Sequence, residues 1–490
     1  MIADGKDLNA SVRCRPVEAA PAVGPLIDRL ADQPDPVVLE SSALHPAFGR
    51  YTLLACRPLE VIVLREGVLR RADGAVLADG DDEQIWRQLS RALGRAAAES
   101  ASPAPYGPGW FGYVGYEVGR HVERLPGKAV RDTHFPDLRL AFYDAVLVHD
   151  AIDRRWHLAE LRFDEPPPGA GEAAETLTRL ASETPGVGDE APSAVERADP
   201  AARPAVAFGA NFTPEGYQQA VARCVEYIAA GDIFQVNLSQ RLAVRNAPDP
   251  LRIYRALRRR NPAWYAAYMS FAHGGRNCAV VCSSPELFLR VRGEHVLTRP
   301  IKGTRPRTGR ANLDEAAAAD LLASPKDNAE LAMIIDLLRN DLGRVCRYGS
   351  IRVTEPRRLE THPTVFHLVG TVAGRLRGGV GPTELLRATF PGGSITGAPK
   401  IRAMEIIDEL EGVARGVYTG AIGWVGVNGC SEWNIAIRTI LCDGPTAYVP
   451  VGGGIVADSD PLAEYRETLD KARASLEAIA LASVPQASGL

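Results

Sequence analysis

Residues 213–244 read TPEGYQQAVARCVEYIAAGDIFQVNLSQRLAV, and the way this stretch divides decides the class of fold. Thr213 has the side-chain oxygen that caps a helix, and Pro214 suits the first helical position, where no backbone N–H is needed. Tyr217, Val221, Cys224, Val225 and Ile228 recur at helical spacing until Gly231 ends the run. The period then changes from 3.6 to 2. Over residues 233–244, Val236, Leu238, Leu242 and Val244 share one face, and Gln235, Asn237, Ser239 and Arg241 share the other. One face is expected in a core and the other beside a polar pocket. Working outward, strands are expected within 37–69 (VVLESS, GRYTLLACRP, EVIVLREGVLRR), across LAFYDAVLVHD at 140–150, and at 278–282, 287–291, 417–427, 434–442 and 447–451. Helices are expected at 82–98, 172–183, 313–322, 325–346, 382–389, 399–410 and 461–481. Residues 1–20 show no strong period and are expected to be loosely held. Strands and helices mix without a regular βαβ rhythm, so the class is α+β rather than a doubly wound sheet.

Composition bounds the rest. A chain of 490 residues can bury a large core. Its 56 Lys+Arg against 60 Asp+Glu leave a formal charge of −4, which speaks against a nucleic-acid or membrane surface. The eight cysteines are scattered without CxxC or Cys/His ligand spacing, as in a reduced protein. No apolar run reaches the roughly 18 residues of a membrane span, and no apolar signal segment opens the chain, so a cytoplasmic location is expected. Between 163 and 210 the composition shifts to Pro, Ala, Gly and Glu, with PPPG at 166–169. The expected organisation is an N-terminal lobe at 1–162, a linker at 163–210, a catalytic domain at 211–482 and a tail at 483–490.

The chemistry begins at residues 298–307, TRPIKGTRPR. Pro300 stiffens the backbone before Lys302, and Gly303 lets it turn after. Only six lysines occur among the 56 basic residues. A lysine set among Arg299, Arg305 and Arg307 can do what arginine cannot, which is to lose its proton and act as a nucleophile. Taken alone it reads first as a solvated cation in a surface turn. Like-charge repulsion from the three arginines is expected to lower its pKa. Two helices carry acids at i, i+3, namely Asp327 with Glu330 and Glu464 with Glu467. Each pair alone reads as a solvated helix face. If the pairs face each other, four carboxylates require a dication, and magnesium suits them. A metal so held implies an anionic ligand, for which Arg438 (expected on the polar face of a strand), Tyr418 and Gly452, Gly453 and Gly454 offer cationic and backbone donors.

SPELFL at 284–289, TRPIKGTRPR, KDNAELAMIIDLLRNDLGRV at 326–345, FHLVGTV at 366–372, FPGGSITGAPKIRAMEIIDELE at 390–411, VYTGAIGW at 417–424, IAIRT at 435–439 and GGGIVADSDPLAEYRETLDKA at 452–472 together resemble the chorismate-utilising enzymes. This group includes anthranilate synthase component I, aminodeoxychorismate synthase component I, isochorismate synthase and salicylate synthase. The resemblance spans 213–481 and extends more weakly to VVLESS and GRYTLLACRP. It implies a two-lobed sandwich of largely antiparallel sheets with helices outside, and chorismate bound through Mg2+. Glu330 and Glu467 then correspond to direct magnesium ligands, and Asp327 and Glu464 to carboxylates acting largely through water. At 327 the family usually carries the longer glutamate. Arg438, Tyr418 and Gly452 to Gly454 correspond to the holders of the enolpyruvyl carboxylate. His367 corresponds to a histidine below the ring.

Three positions choose among relatives. Gln235 stands where isochorismate and salicylate synthases carry a water-activating lysine, so ammonia is the expected nucleophile. Lys302, followed by Gly303 and Thr304, gives PIKGT, the aminodeoxychorismate form, where anthranilate synthases resemble PIAGT. Ser394 stands where anthranilate synthases carry a threonine associated with pyruvate elimination. The resemblance thus implies covalent attack by Lys302 on chorismate, Glu286 as general acid, and a product that feeds 4-aminobenzoate and folate. No GxCxG elbow of a glutaminase occurs, which implies a glutamine amidotransferase partner supplying ammonia. VVLESS resembles the tryptophan-binding strand of anthranilate synthase, so a small regulatory ligand such as tryptophan is a further expectation in the N-terminal lobe. The alternatives are anthranilate synthase component I and, from another class, a catalytically silent chorismate-binding regulatory subunit. The joint presence of Lys302, Glu286 and both acid pairs argues against the latter.

Overall fold

The computed structural model describes residues 9–94, 98–100, 105–186, 205–362 and 365–484. Among these, two large sheets account for the strands. The first runs from Gln235–Arg245 and Thr446–Ile455 near one edge through Thr439–Asp443, Arg276–Ser284 and Tyr265–His273 to Val37–Glu40, Tyr51–Ala55, Ala145–Asp150 and Arg155–Phe163. The second runs from Ile301–Pro306 and Val365–Arg375 through His295–Arg299, Leu287–Arg292, Ser431–Asn434 and Ala421–Gly426 to Gly109–Val114, Leu138–Tyr143 and Glu60–Arg65. Neighbours are antiparallel, apart from the short pairing of Ala10–Val17 with Ala98–Ser100. Strands from both sides of the 163–210 stretch are paired in each sheet, Val37–Glu40 with Tyr265–His273 and Gly109–Val114 with Ala421–Gly426. The two lobes are therefore joined by hydrogen bonding in both sheets.

Strand alternation divides the core. Val37, Leu53 and Ala55 face an inner layer with Phe111, Tyr113, Tyr143, Met269, Phe271 and Trp424, which fills the space between the sheets. Val38 and Leu54 point the other way, onto a layer under the helices Val23–Ala31, Glu172–Glu183, Pro250–Arg260 and Pro461–Ser483. The outer face of the second sheet is covered by Asp82–Leu93, Pro325–Gly343 and Pro382–Thr389, while Lys400–Leu410 packs on Gln235–Arg245 of the first. This is an α+β sandwich with helices outside. No described helix is long and apolar enough to cross a membrane.

Three sequence expectations need correction. The run at 140–150 is two strands in different sheets, because buried Asp144 turns the chain between them and its carboxylate accepts the Gly171 N–H at 2.8 Å. Residues 140–143 and 145–148 are apolar on both faces, so alternation could not expose the break. Residues 1–20 are not loosely held over their described part. Ala10–Val17 pairs along its whole length with Arg155–Phe163, Val12 facing Leu161. The strand expected at 434–442 is interrupted: Ser431–Asn434 lies in the second sheet and Thr439–Asp443 in the first. Helix Pro250–Arg260, which the expectations omit, is capped by the Asp249 carboxylate; its three closing arginines hide the apolar face of Ile253, Tyr254 and Leu257.

Trp424 is fully buried in the inner layer, donates its indole N–H to Gly107 O at 2.8 Å and stacks near Phe111 and Tyr106. Trp424→Ala is expected to cost about 3–5 kcal/mol. Because both lobes share this layer, fluorescence and circular dichroism should follow one shifted guanidinium transition in the variant rather than two.

Candidate active site

Strand Ile301–Pro306 pairs with Val365–Arg375 so that Lys302 lies opposite Leu368 and Thr304 opposite His367, with a register shift between them. Gly303 makes the shift, at φ +70°. A Cβ there would stand 2.7 Å from Leu321 Cδ1 and 2.9 Å from the Asp327 carboxyl carbon. Only glycine satisfies both the conformation and the close approach of helix Pro325–Gly343. Lys302 is half-buried, and its Nζ lies 3.5 Å from Ser394 O. Burial lowers its pKa, opposed by the carboxylates of Glu330 and Glu286. The expected repulsion from the three arginines is not what the structure provides. Arg299 is paired with Glu360, Arg305 with Asp320 at 2.6 Å and Asp327 at 3.1 Å, and Arg307 with Asp314 at 3.6 Å. The cation that reinforces burial is Lys471.

Glu286 sits where the chain leaves strand Arg276–Ser284 of one sheet for Leu287–Arg292 of the other. Its carboxyl is buried and accepts the Ser394 hydroxyl at 2.6 Å. Burial pushes its pKa up to about 7, against the hydrogen bond from Ser394 and the charge of Lys302. Ser394 therefore joins the acid and the amine, through its hydroxyl and its carbonyl respectively.

His367 is buried, with Nδ1 2.9 Å from Thr304 Oγ1. Burial, and then the charges of Arg438 and His362, hold its pKa well below the ordinary value, so it is a neutral imidazole. Arg438 is not on the polar face of a strand. It occupies the passage between Ser431–Asn434 and Thr439–Asp443 at φ +50°, where its carbonyl accepts the Ser283 N–H at 3.1 Å. Among the described residues no carboxylate pairs with its guanidinium, and burial lowers its pKa. An uncompensated cation of this kind suits an anionic ligand. Tyr418 is buried beside Thr419, which has φ +59°.

Gly452 to Gly454 lie inside a paired strand rather than an open loop, opposite Ser239, Leu238 and Asn237. Their lack of side chains clears space. A Cβ on Gly454 would stand 2.4 Å from Gln235 Nε2, and one on Gly453 would stand 3.2 Å from Glu464 Oε2. Gln235 is fully buried, and neither polar atom of its amide has a partner. Such an amide is costly unless a ligand completes it.

The acid pairs come from helices on different sheets. Pro325–Gly343 packs on Ile301–Pro306 and Val365–Arg375, and Pro461–Ser483 packs on Thr446–Ile455. Burial raises the pKa of Glu330, with Asp327 and Glu467 adding to the rise against Lys302 and Lys326. Glu464 is likewise raised by burial, although Ser459 donates to it at 2.6 Å. Glu467 is lowered: burial is outweighed by its neighbours, led by Lys471 at 2.7 Å. Among the described residues no three His, Cys, Asp or Glu side chains stand close enough together to hold a metal ion. The donor chemistry nevertheless fits a hard dication, since these are oxygen donors whose mutual repulsion three lysines offset in part. Lys471, which also donates to Gly452 O at 3.0 Å, is absent from the sequence expectations. Its i+4 spacing from Glu467 was the available signal.

A separate cavity of about 200 Å3 lies beside VVLESS, lined by Glu40, Ser41, Trp264, Arg292, Trp424 and Glu432 among others. The Glu40 carboxylate is held by Tyr254 at 2.6 Å and Arg258 at 2.7 Å, and Ser41 and Ser42 donate to the carbonyls of Trp264 and Ala263.

The α+β sandwich thus brings a half-buried amine, a buried acid and a guanidinium with no carboxylate partner among the described residues to one site, which suits a small anionic ligand. The chain belongs to the chorismate binding enzymes, whose family model matches residues 52–477. It is 36% identical over 437 residues to aminodeoxychorismate synthase component 1 of Bacillus subtilis (strain 168), covering 88% of this chain and 90% of that one. It is 39% identical over 466 residues to anthranilate synthase component 1 of Pseudomonas putida, covering 93% and 92%. The crystal structure of anthranilate synthase component I from Streptococcus pneumoniae TIGR4 superposes with a TM-score of 0.73 at 31% identity, over 89% of this chain and 94% of that one.

The raised acid has a measurable consequence. Between the ordinary carboxylate range and about pH 7, the folded state keeps a proton on Glu286 that the unfolded chain has released. Raising the pH through that window therefore costs stability. Glu286→Gln keeps an acceptor for Ser394 and removes the penalty. Relative to the unmodified protein it should gain up to about 3 kcal/mol at pH 8 and little at pH 5, read from denaturant midpoints.

Proposed function

We propose that the protein is the chorismate-aminating component of an aminodeoxychorismate synthase, converting chorismate and ammonia to 4-amino-4-deoxychorismate. The observation that carries this reading is Lys302, a desolvated amine joined through Ser394 to a carboxyl whose pKa is pushed up to about 7. The neutral amine attacks C2 of the ring, both conjugated double bonds shift, and the C4–O bond breaks. Glu286 gives its proton to the leaving hydroxyl, which departs as water. Ammonia then attacks C4, both double bonds shift back, and the C2–N bond returns its electrons to Lys302. Glu286 recovers a proton from the incoming ammonium. Amination rather than hydration is supported by Gln235, whose amide cannot serve as a base for water, and whose unpaired donor and acceptor suit the hydroxyl or carboxylate of a bound ring. Arg438, with Tyr418 and the strand of Gly452 to Gly454, would hold a substrate carboxylate. Mg2+ would be held by Glu330 and Glu467, assisted by Asp327 and Glu464, and would supply charge neutralisation for a second carboxylate of the substrate.

Both relatives quoted above are named as component 1 of their synthases, which supports a separate glutaminase as ammonia source. The cavity beside VVLESS, with the indole rings of Trp264 and Trp424 and charged side chains of both signs, suits a small aromatic amino acid such as tryptophan as effector. The nearly equal identities to the two synthases keep anthranilate formation as the second reading.

Products formed from chorismate, magnesium and an ammonium salt decide between them by mass. Lys302→Arg keeps a basic side chain and removes the nucleophile, so formation of the C4-aminated product should fall by at least a hundredfold. Lys302→Ala should make little of it, or place ammonia at C2. An unchanged rate in Lys302→Arg would exclude the covalent route. Glu467→Gln should raise the magnesium concentration needed for half-maximal rate at least tenfold. Wild-type behaviour of that variant at low magnesium would remove Glu467 from the metal site.

A further inference from the structure

Asn237 lies on the polar face of strand Gln235–Arg245, and neither the proposed mechanism nor the substrate contacts use it. Its bonds all lead to one place. Its main-chain N–H donates to Thr396 O at 2.8 Å and its side-chain amide to Ser394 O at 2.8 Å. Its own carbonyl accepts from Arg415 Nη2 at 2.7 Å, while Arg415 Nη1 donates to Ile395 O at 3.0 Å. Arg415 is itself fixed by Glu411, at 2.8 Å from Nε and 2.6 Å from Nη2, and its guanidinium lies over the Tyr116 ring. The segment 394–396 is thus clamped carbonyl by carbonyl to the strand. The Ser394 carbonyl held in this way is the one that Lys302 Nζ faces, and the hydroxyl of the same residue holds Glu286.

We propose that Asn237 is a positioning residue for Lys302, with Arg415 holding the Asn237 main chain in place. A neutral amine that donates one N–H to a fixed carbonyl has its lone pair directed away from that carbonyl, so the position of Ser394 O sets the line of attack. Reaching a near-attack geometry depends on such orientation more than on affinity. Asn237 also takes up one of the two lone pairs of Ser394 O. This limits that carbonyl's capacity to hold Lys302 as a fully solvated ammonium. The role rests on the covalent reading of Lys302 given above.

The test uses the full chain with chorismate, magnesium and an ammonium salt, comparing the unmodified protein with Asn237→Ala and the isosteric Asn237→Asp, which cannot donate to Ser394 O. Expected is a fall in kcat of at least tenfold in both variants, with KM for chorismate changed less than about threefold. The rate at which the Lys302 adduct accumulates without ammonia should fall in parallel, by intact-protein mass. A purely structural role would lower the unfolding midpoint and the amplitude of adduct formation, leaving the adduct rate and kcat per active site unchanged. If Asn237→Ala fails to fold, Asn237→Asp, which keeps volume and main-chain bonds, carries the test alone. An unchanged kcat and adduct rate in a folded variant overturns the proposal, as does a rise in KM with kcat retained. Failure of the underlying reading looks different: the unmodified protein then forms no adduct, and Lys302→Arg stays active.

Discussion

The chain must pass repeatedly between two stacked sheets, and at each passage the backbone leaves one ladder before it joins the next. Sheets packed face to face stand roughly 10 Å apart, so the residues in transit need other partners for their N–H and C=O groups. Two passages solve this together. Ile435 N–H donates to Glu286 O at 3.0 Å, the Ser284 hydroxyl donates to Ile435 O at 2.6 Å, and Ser283 N–H donates to Arg438 O. The 284–287 and 434–439 passages are therefore bonded to each other, and the residues they carry include Glu286 and Arg438. Site residues at crossings are free of the alternation that would send their side chains into a layer of the core. They are also held as firmly as a strand would hold them.

Burial organises the charges in the site. Desolvation disfavours the charged form of every group, so it lowers Lys302 and raises Glu286. The alternative, an ammonium beside a carboxylate, would give an inert ion pair. A proton shifted onto the acid would leave a neutral amine and a neutral acid, the pairing that the proposed chemistry requires at its first step. Ser394 bridges the two groups: its hydroxyl donates to the acid, favouring the ionised form against burial, and its carbonyl faces the amine. On the other side of the chemistry, the Arg438 charge acts on a neutral His367 and meets no carboxylate among the described residues. A ligand carboxylate is the partner that this field selects.

Much of this was legible in the residues. Helix Pro382–Thr389 begins and ends where its proline and its apolar spacing place it, and the linker helix Glu172–Glu183 matches its amphipathic pattern. The acid pairs at i, i+3 fall on helices as spacing requires. What spacing could not give was the partnership between segments distant in sequence. Nothing in TRPIKGTRPR says that its arginines are neutralised by Asp314, Asp320 and Glu360, so their repulsion of Lys302 was a reasonable but mistaken inference. The apolar content of 434–442 is that of one strand, while the left-handed backbone at Arg438 is imposed by the change of sheet. The glycine run suggested bare N–H groups toward a ligand. Their register shows that they also leave volume for Gln235 and Glu464.

The shared sheets also change what the composition break at 163–210 means mechanically. Glu117, from the N-terminal stretch, is buried and accepts the N–H groups of Arg415 at 2.9 Å and Gly416 at 2.8 Å. Arg415 in turn grips Asn237 and Ile395. A residue 185 positions before Lys302 therefore bears on the segment that faces its amine through three hydrogen-bonded steps, none of which crosses solvent-exposed loop. Glu117 is raised to about 7 by burial, then by Asp137, so its two backbone donors meet a carboxyl whose charge is only weakly favoured. Such a contact holds by geometry more than by Coulomb attraction. Repacking around Tyr116 and Glu117 would then move the Arg415 clamp even though neither residue approaches the reacting atoms.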